Sequence, residues 1–483
     1  MTDTRAGRPG GGLDRSLGSR QIMMLSIGGA LGTGLFLGAS LAMSMAGPSV
    51  VVLYLVGAVF AAALAYALAE MASAHPEAGG FGWLADRYLG PLAGYVQRWS
   101  YWGCLVVTIG GEIVAAGIYL RFWWPELPLW IPVVALTVLI AAINCAAVSV
   151  FGELEYWFAL IKVLAVVLFI GFGVVFIFFG VGGEPAAGLG NWTEHGGFAP
   201  HGAEGMLLAL TVTTLAYGGT EAVAMTAAES KDPGKDVPRA ARGVVLRLLL
   251  FYVLGTAVIV SVMPWTETAN VSGVDQSPFV RLFDLIGVPA AAALMNAVVL
   301  TAALSAANTN LYVASRMMHS LALSGFAPRA LGRTSSRRTP LAAVLASAVG
   351  LVAAAVVSAV SPEDAFPVLL GAALFTGMAT WLIIFATHLA YRRSGVAQAV
   401  GKPAVRLPGA PVTTLIAMAF TVLVMVLTGF VDAFSLAWKA GVPFIVVVAL
   451  SYMLPARKRR RTAAANPPAA SAQPSTNAVP GQN

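Results

Sequence analysis

Apolar runs of about 20 residues recur along almost the whole chain, each long enough to cross roughly 30 Å of hydrocarbon as a helix. Polar segments carrying charge, glycine and proline separate them. The spacing predicts twelve spans, at about residues 21–42, 48–70, 95–120, 127–148, 155–180, 204–229, 242–264, 288–321, 340–360, 364–391, 411–430 and 435–455. The expected fold class is an all-α polytopic membrane protein, because a helix satisfies its own backbone groups within lipid.

Two of these runs are poor material for continuous helix. The first contains Gly28-Gly29-Ala30-Leu31-Gly32-Thr33-Gly34-Leu35-Phe36-Leu37-Gly38, five glycines in eleven residues. Each glycine disfavours helix by roughly 1 kcal/mol relative to alanine. The sixth contains Thr213-Thr214-Leu215-Ala216-Tyr217-Gly218-Gly219-Thr220-Glu221, with paired glycines, hydroxyls and an acid. If spans one to five and six to ten are two copies, both breaks fall in the first span of a copy, and the odd number of spans inverts the second copy. Interrupted helices at matching positions of inverted halves point to a transporter's central site. The domain organisation expected is a cytoplasmic tail at 1–20, a first repeat at 21–180, a second at 204–391, two added spans at 411–455 and a disordered tail at 456–483.

The breaks have a specific chemistry. Where the first helix resumes, the N–H groups near Thr33, Gly34 and Leu35 lack partners and carry the positive end of a helix dipole, which suits a carboxylate. Carbonyls freed near Ile27 and around Ala216, Tyr217 and Gly218 suit an ammonium group. With Gly32 and Gly219 these positions form a receptor for an α-amino acid, built mostly from backbone. Gly28 and Gly38 fit the simpler role of letting helices pack closely. The Gly-x-Gly pattern is not a dinucleotide loop, since no strand precedes it.

Composition and charge narrow this further. Of 483 residues, 58% are hydrophobic and 11% charged, which excludes an ordinary soluble domain. The net charge of +7 does not imply nucleic acid, because Lys and Arg sit at the N-terminus and in alternate loops: Lys231 to Arg242, Arg329 to Arg338, Arg392 to Arg406, and Arg457 to Arg461. The intervening long connections, 181–203 and 361–364, contain neither. The positive-inside rule then expects both termini in the cytoplasm and the protein in the cytoplasmic (inner) membrane, with the last basic run against anionic lipid. No cleavable leader is expected. Cys104 and Cys145 fall inside spans and read as packing residues rather than a disulfide. The five histidines show no metal-ligand spacing, so neither a metal, a cofactor nor a catalytic set is expected, and the chain does not read as an enzyme.

An ionisable group at the bilayer centre costs about 2.5–3.5 kcal/mol, so each needs a reason. Glu221, just past the second break, is a candidate proton carrier or gate, or a helix cap. Lys162 in the fifth span either snorkels to the inner headgroups or cycles a proton. Glu112 in the third span either touches the substrate or pairs across the bundle. Glu70 and Glu229 near cytoplasmic ends read as solvated or structural. The Ser305–Thr309 stretch could offer polar partners beside Lys162, or Asn308 and Thr309 satisfy each other, and Tyr217 and Phe375 are either pocket aromatics or packing residues.

Several stretches resemble bacterial amino acid permeases: Gly28–Gly38 (GGALGTGLFLG), Glu153–Val166 (ELEYWFALIKVLAV), Tyr217–Glu229 (YGGTEAVAMTAAE), Asn296–Ala322 (NAVVLTAALSAANTNLYVASRMMHSLA) and the Trp123–Glu126 segment. The chain is similar, from about residue 15 to 455, to the amino acid transporter family of the amino acid–polyamine–organocation superfamily. The resemblance implies a fold like that of the leucine transporter, a 5+5 inverted repeat with broken first and sixth helices. It implies secondary active import of an amino acid by alternating access, usually with proton symport, H+ being the expected coupling ion. It also implies that the Lys162 ammonium stands where sodium-coupled relatives hold an ion, that an acid at the position of Glu221 serves coupling or substrate sensing, and that relatives carry an acid at the position of Glu112. An exchanger and a non-transporting amino acid sensor share this signature. Which amino acid is carried, and the oligomeric state, are not written in it.

Overall fold

A computed structural model describes residues 32–36, 38–75, 80–145, 148–181, 185–221, 239, 241–243, 245, 248–269, 277–285, 289–335, 339–363, 365–395, 405–431 and 434–454. The described residues are overwhelmingly helical. In chain order the helices are α1 (Thr33–Phe36), α2 (Gly38–Ala46), α3 (Val50–Ala74), α4 (Phe81–Leu89), α5 (Pro91–Leu120), α6 (Trp130–Cys145), α7 (Val148–Phe179) and α8 (Gly202–Leu215). There follow α9 (Leu249–Val262), α10 (Trp265–Ala269), α11 (Pro278–Leu285), α12 (Pro289–Leu323), α13 (Leu341–Ser347), α14 (Val349–Val360), α15 (Ala365–Arg393), α16 (Val412–Leu427) and α17 (Ser435–Ser451).

Among the described residues, seven helical stretches are long and apolar enough to cross a membrane: Gly34–Ala74, Pro91–Leu120, Glu153–Phe179, Ala290–Leu323, Leu341–Val360, Val368–Arg393 and Val412–Phe430. The first, 41 residues long, is divided by a 3-10 turn at Gly47–Ser49 with Pro48 inside it. α6, α8, α9 and α17 are shorter apolar helices. The short amphipathic helices α4, α10 and α11 link the long ones.

The helices sort into a buried centre and a rim. The most apolar stretch of α5 is 72% buried, whereas that of Val412–Phe430 is 28% buried. α5 packs along α12, α14 and α15. Around this centre, Phe178, Phe179, Val360 and Phe430 point outward and are exposed. Such a rim suits lipid, which does not penalise apolar side chains and leaves close packing and polar contacts to hold the helices together.

One set of polar contacts ties the ends of several helices. Glu70, fully buried near the end of α3, accepts hydrogen bonds through Oε2 from Arg392 Nη2 (2.9 Å) and the Leu407 N–H (2.8 Å). The same oxygen lies 3.2 Å from His388 Nε2, and Arg392 Nε lies 2.8 Å from Glu70 Oε1. His388 Nδ1 also bonds Thr414 Oγ1 at 3.0 Å. Of the two roles expected for Glu70, this is the structural one: it joins α3, α15, α16 and the segment before α16. Glu229 lies outside the described residues.

Candidate functional site

The described parts of the two glycine-rich segments lie against each other, residues 28–31 and those immediately after Glu221 lying outside the described residues. α1 starts at Thr33 immediately after Gly32, the Leu35 N–H bonding the Gly32 carbonyl at 3.3 Å. α8 ends at Leu215, and the chain continues in turns, with Gly218 N–H on Leu215 O (2.8 Å) and Thr220 N–H on Tyr217 O (3.4 Å). Gly219 has φ +95°, a conformation that costs glycine little and other residues more. A Cβ on Gly34 would lie 2.9 Å from Ala216 Cα, so the backbones of the two breaks touch only because Gly34 has no side chain. A Cβ on Gly32 would lie 2.6 Å from Glu112 Oε1, which puts the α5 carboxyl against the start of α1.

A cavity opens at this meeting point. Gly32, Gly34, Ala216, Gly218, Gly219, Glu112 and Glu221 line one side. The other side is formed by α5, through Cys104 and Thr108, and by an apolar wall of α15 that includes Leu369, Ala373 and Trp381. Glu221 is buried and engaged by protein donors. Its Oε2 accepts from the Gly219 N–H (3.2 Å) and Trp381 Nε1 (3.4 Å), and the Tyr101 hydroxyl also reaches its carboxyl. It therefore caps the second break and ties it to α5 and α15.

The expected site residues fall into three groups. Gly32, Gly34, Ala216, Gly218, Gly219, Glu112 and Glu221 share the cavity wall. Tyr217 and Phe375 have side chains packed elsewhere. The Tyr217 hydroxyl donates to Tyr54 O at 2.6 Å, and its ring lies 4.6 Å from that of Tyr252. Tyr252 in turn donates to Ala216 O at 2.7 Å, so one carbonyl expected to face an ammonium is already shared with α9. Phe375 packs on Trp438 with centroids 5.0 Å apart. Thr33 contributes backbone to α1, its side chain lying outside the described residues together with the whole of Ile27.

Lys162 is fully buried on α7 and stands apart from the cavity wall. An ammonium reaching to the headgroups would be exposed, whereas this one is enclosed by protein. Its charge interacts with Glu155 and Glu112. The α12 polar stretch meets other partners: Ser305 Oγ donates to Glu155 Oε1, and Asn308 Oδ1 accepts from Asn144 Nδ2 at 2.8 Å.

Sequence reasoning overlooked Glu155, Cys104 as a wall residue, and Trp381 and Tyr101 as partners of Glu221. Only Glu155 left a signal: it lies seven residues before Lys162 in the permease-like stretch, on the same helical face. Among the described residues, no group of three or more His, Cys, Asp or Glu side chains could hold a metal ion.

Residues 21–464 match the family model for amino acid permeases. The chain is 37% identical over 442 residues to the probable threonine/serine transporter YbxG of Bacillus subtilis, covering 91% of this chain and 94% of that protein. It is 39% identical over 454 residues to the uncharacterized amino acid permease YtnA of the same organism, covering 94% and 97%. It is 38% identical over 418 residues to the aromatic amino acid transport protein AroP of Escherichia coli O157:H7, covering 86% and 90%. These relatives are transporters and permeases, not enzymes. A cavity where Gly32 and Gly34 meet the turns after α8, set among apolar spans in a chain similar to permeases over nearly its whole length, leads to one assignment: the chain belongs to the amino acid permease family and is a multi-pass membrane transporter of amino acids.

Proposed function

We propose that this permease imports a neutral amino acid by alternating access, driven by proton symport. The observation that carries the reading is the contact of the Gly34 and Ala216 backbones at the cavity, with Glu112 and Glu221 beside them. In this reading the backbone N–H groups of Thr33 and Gly34 suit the substrate carboxylate, the Leu35 N–H expected to join them being held by the Gly32 carbonyl instead, and carbonyls of the second glycine-rich segment suit its ammonium. In this reading twelve spans cross the cytoplasmic membrane with both termini inside, as the basic loops favour. Two inverted five-span repeats rock about the site, and Lys162 and Glu221 carry the coupling.

A neutral substrate is supported by two features. The Glu221 carboxyl already has the Gly219, Trp381 and Tyr101 donors, so it is poorly placed to pair with a cationic side chain. The α15 wall is largely apolar. Relatives named for threonine/serine and for aromatic amino acids fit this class.

Counterflow in proteoliposomes tests it. Vesicles preloaded with one unlabelled amino acid are offered labelled serine, threonine, phenylalanine, tryptophan, lysine or arginine. Exchange of neutral but not basic amino acids is expected. Preference for lysine or arginine would overturn the substrate class, and no exchange of any of them would favour a sensor.

A further inference from the structure

Coupling through Lys162 requires a route by which the proton leaves for the cytoplasm, and α7 carries a second buried ionisable group that the cavity does not use. Glu155 is fully buried. It precedes Lys162 by seven residues, about two turns and roughly 10 Å along the helix, on the same face. With the amino end of α7 cytoplasmic, Glu155 lies on the cytoplasmic side of Lys162.

Its surroundings are polar but incompletely engaged. Ser305 Oγ donates to Oε1, whereas among the described residues no hydrogen bond reaches Oε2. Asn308 and Thr309 stand beside the same carboxyl, yet Asn308 Nδ2 and Thr309 Oγ1 fall short of hydrogen-bonding geometry. Asn144, from the end of α6, joins the cluster through Asn308, and its own Oδ1 is also unengaged. All five side chains are buried.

A buried polar atom left without a partner is costly, so an apolar core would be more stable here. A group that changes protonation state explains the surplus. A carboxylate uses donors on both oxygens, a carboxylic acid needs an acceptor for its own proton, and a threonine hydroxyl can serve either form. Among the described residues, Lys162 is the charged group that acts on Glu155, and Glu112 also acts on Lys162. Three ionisable side chains thus lead from the cavity wall toward the cytoplasm.

We propose that Glu155 takes the proton from Lys162 and releases it to the cytoplasm, a role that rests on the proton-symport reading above. The N–H bond on Lys162 Nζ breaks and an O–H bond forms on Glu155 Oε2, directly or across one water. Ammonium and carboxylate become amine and acid with no change in net charge. The O–H bond then breaks to cytoplasmic water and restores the carboxylate. The Lys162 amine regains a proton from the extracellular side in the outward-facing state.

The test reconstitutes the full chain as wild type, Glu155→Gln and Glu155→Asp. It measures three things: accumulation into vesicles with an alkaline lumen, counterflow without a pH gradient, and lumenal acidification by a trapped dye. Glu155→Gln is expected to lose accumulation and acidification by roughly a hundredfold, the lower end for a positioned proton-transfer group. Counterflow should persist, and Glu155→Asp should recover part of the accumulation. Wild-type accumulation in Glu155→Gln would overturn the relay. Parallel loss of counterflow in both variants would also overturn it and assign the carboxyl to packing. If the wild type itself shows no gradient-driven accumulation, the symport reading fails and the relay with it, an outcome visible in the wild-type vesicles alone.

Discussion

Gly34 has no room for a side chain. An added Cβ would meet the Ala216 backbone at 2.9 Å, and backbone cannot rotate away as a flexible side chain can. Gly34→Val should therefore separate the two breaks and weaken substrate binding by about tenfold or more, equivalent to about 1.4 kcal/mol, with expression near normal. Scintillation proximity binding to the purified variant checks this, and unchanged affinity would contradict a receptor built from backbone. Lys162 is the second decisive residue, fully buried and interacting with acids on both α7 and α5. Lys162→Met should abolish accumulation driven by a pH gradient while counterflow survives. Full gradient-driven accumulation in that variant would remove the lysine from coupling.

Among elements, the Glu70 cluster is the clearest structural device. One buried carboxyl holds Arg392, His388 and the Leu407 N–H, so it fixes α3 against α15 and the approach to α16. Removing the carboxyl leaves the Leu407 N–H and the largely buried Arg392 without their acceptor, at a cost of about 1–3 kcal/mol. Glu70→Ala should accordingly lower the thermal unfolding temperature in detergent more than any single exposed substitution on the α16 rim, such as Val412→Ala. Equal Tm values for the two variants would count against it. The same scale shows what sequence patterning can and cannot supply. The run expected at 364–391 is α15 at Ala365–Arg393, and that at 288–321 is α12 at Pro289–Leu323, because hydrocarbon thickness fixes span length and charge marks the ends. The run at 340–360 instead divides at Ala348, and nothing in its apolar composition announces that. α4, α10 and α11 were not expected either, since short amphipathic segments carry too few apolar residues to stand out from loops.

At the scale of the whole molecule, the glycine-rich breaks were readable from sequence because glycine clusters are conspicuous in apolar runs. Their union into one cavity was not, because it depends on how α5, α12 and α15 pack around them. The far wall illustrates the difference: Leu369, Ala373 and Trp381 resemble any other span residues until the fold turns them toward Gly34 and Glu221. Likewise Tyr217 stands inside the second break yet sends its ring to Tyr54 and Tyr252, where it braces the break rather than facing the cavity. In the function proposed above, a largely backbone receptor works with buried ionisable groups on α5 and α7, and substrate movement is tied to proton movement. The measurement to make is accumulation of a labelled neutral amino acid by the wild-type protein in sodium-free proteoliposomes with an alkaline lumen. Accumulation above the external concentration that collapses on adding a protonophore is the predicted result. Uptake that stops at equal concentrations whatever the pH gradient would contradict it.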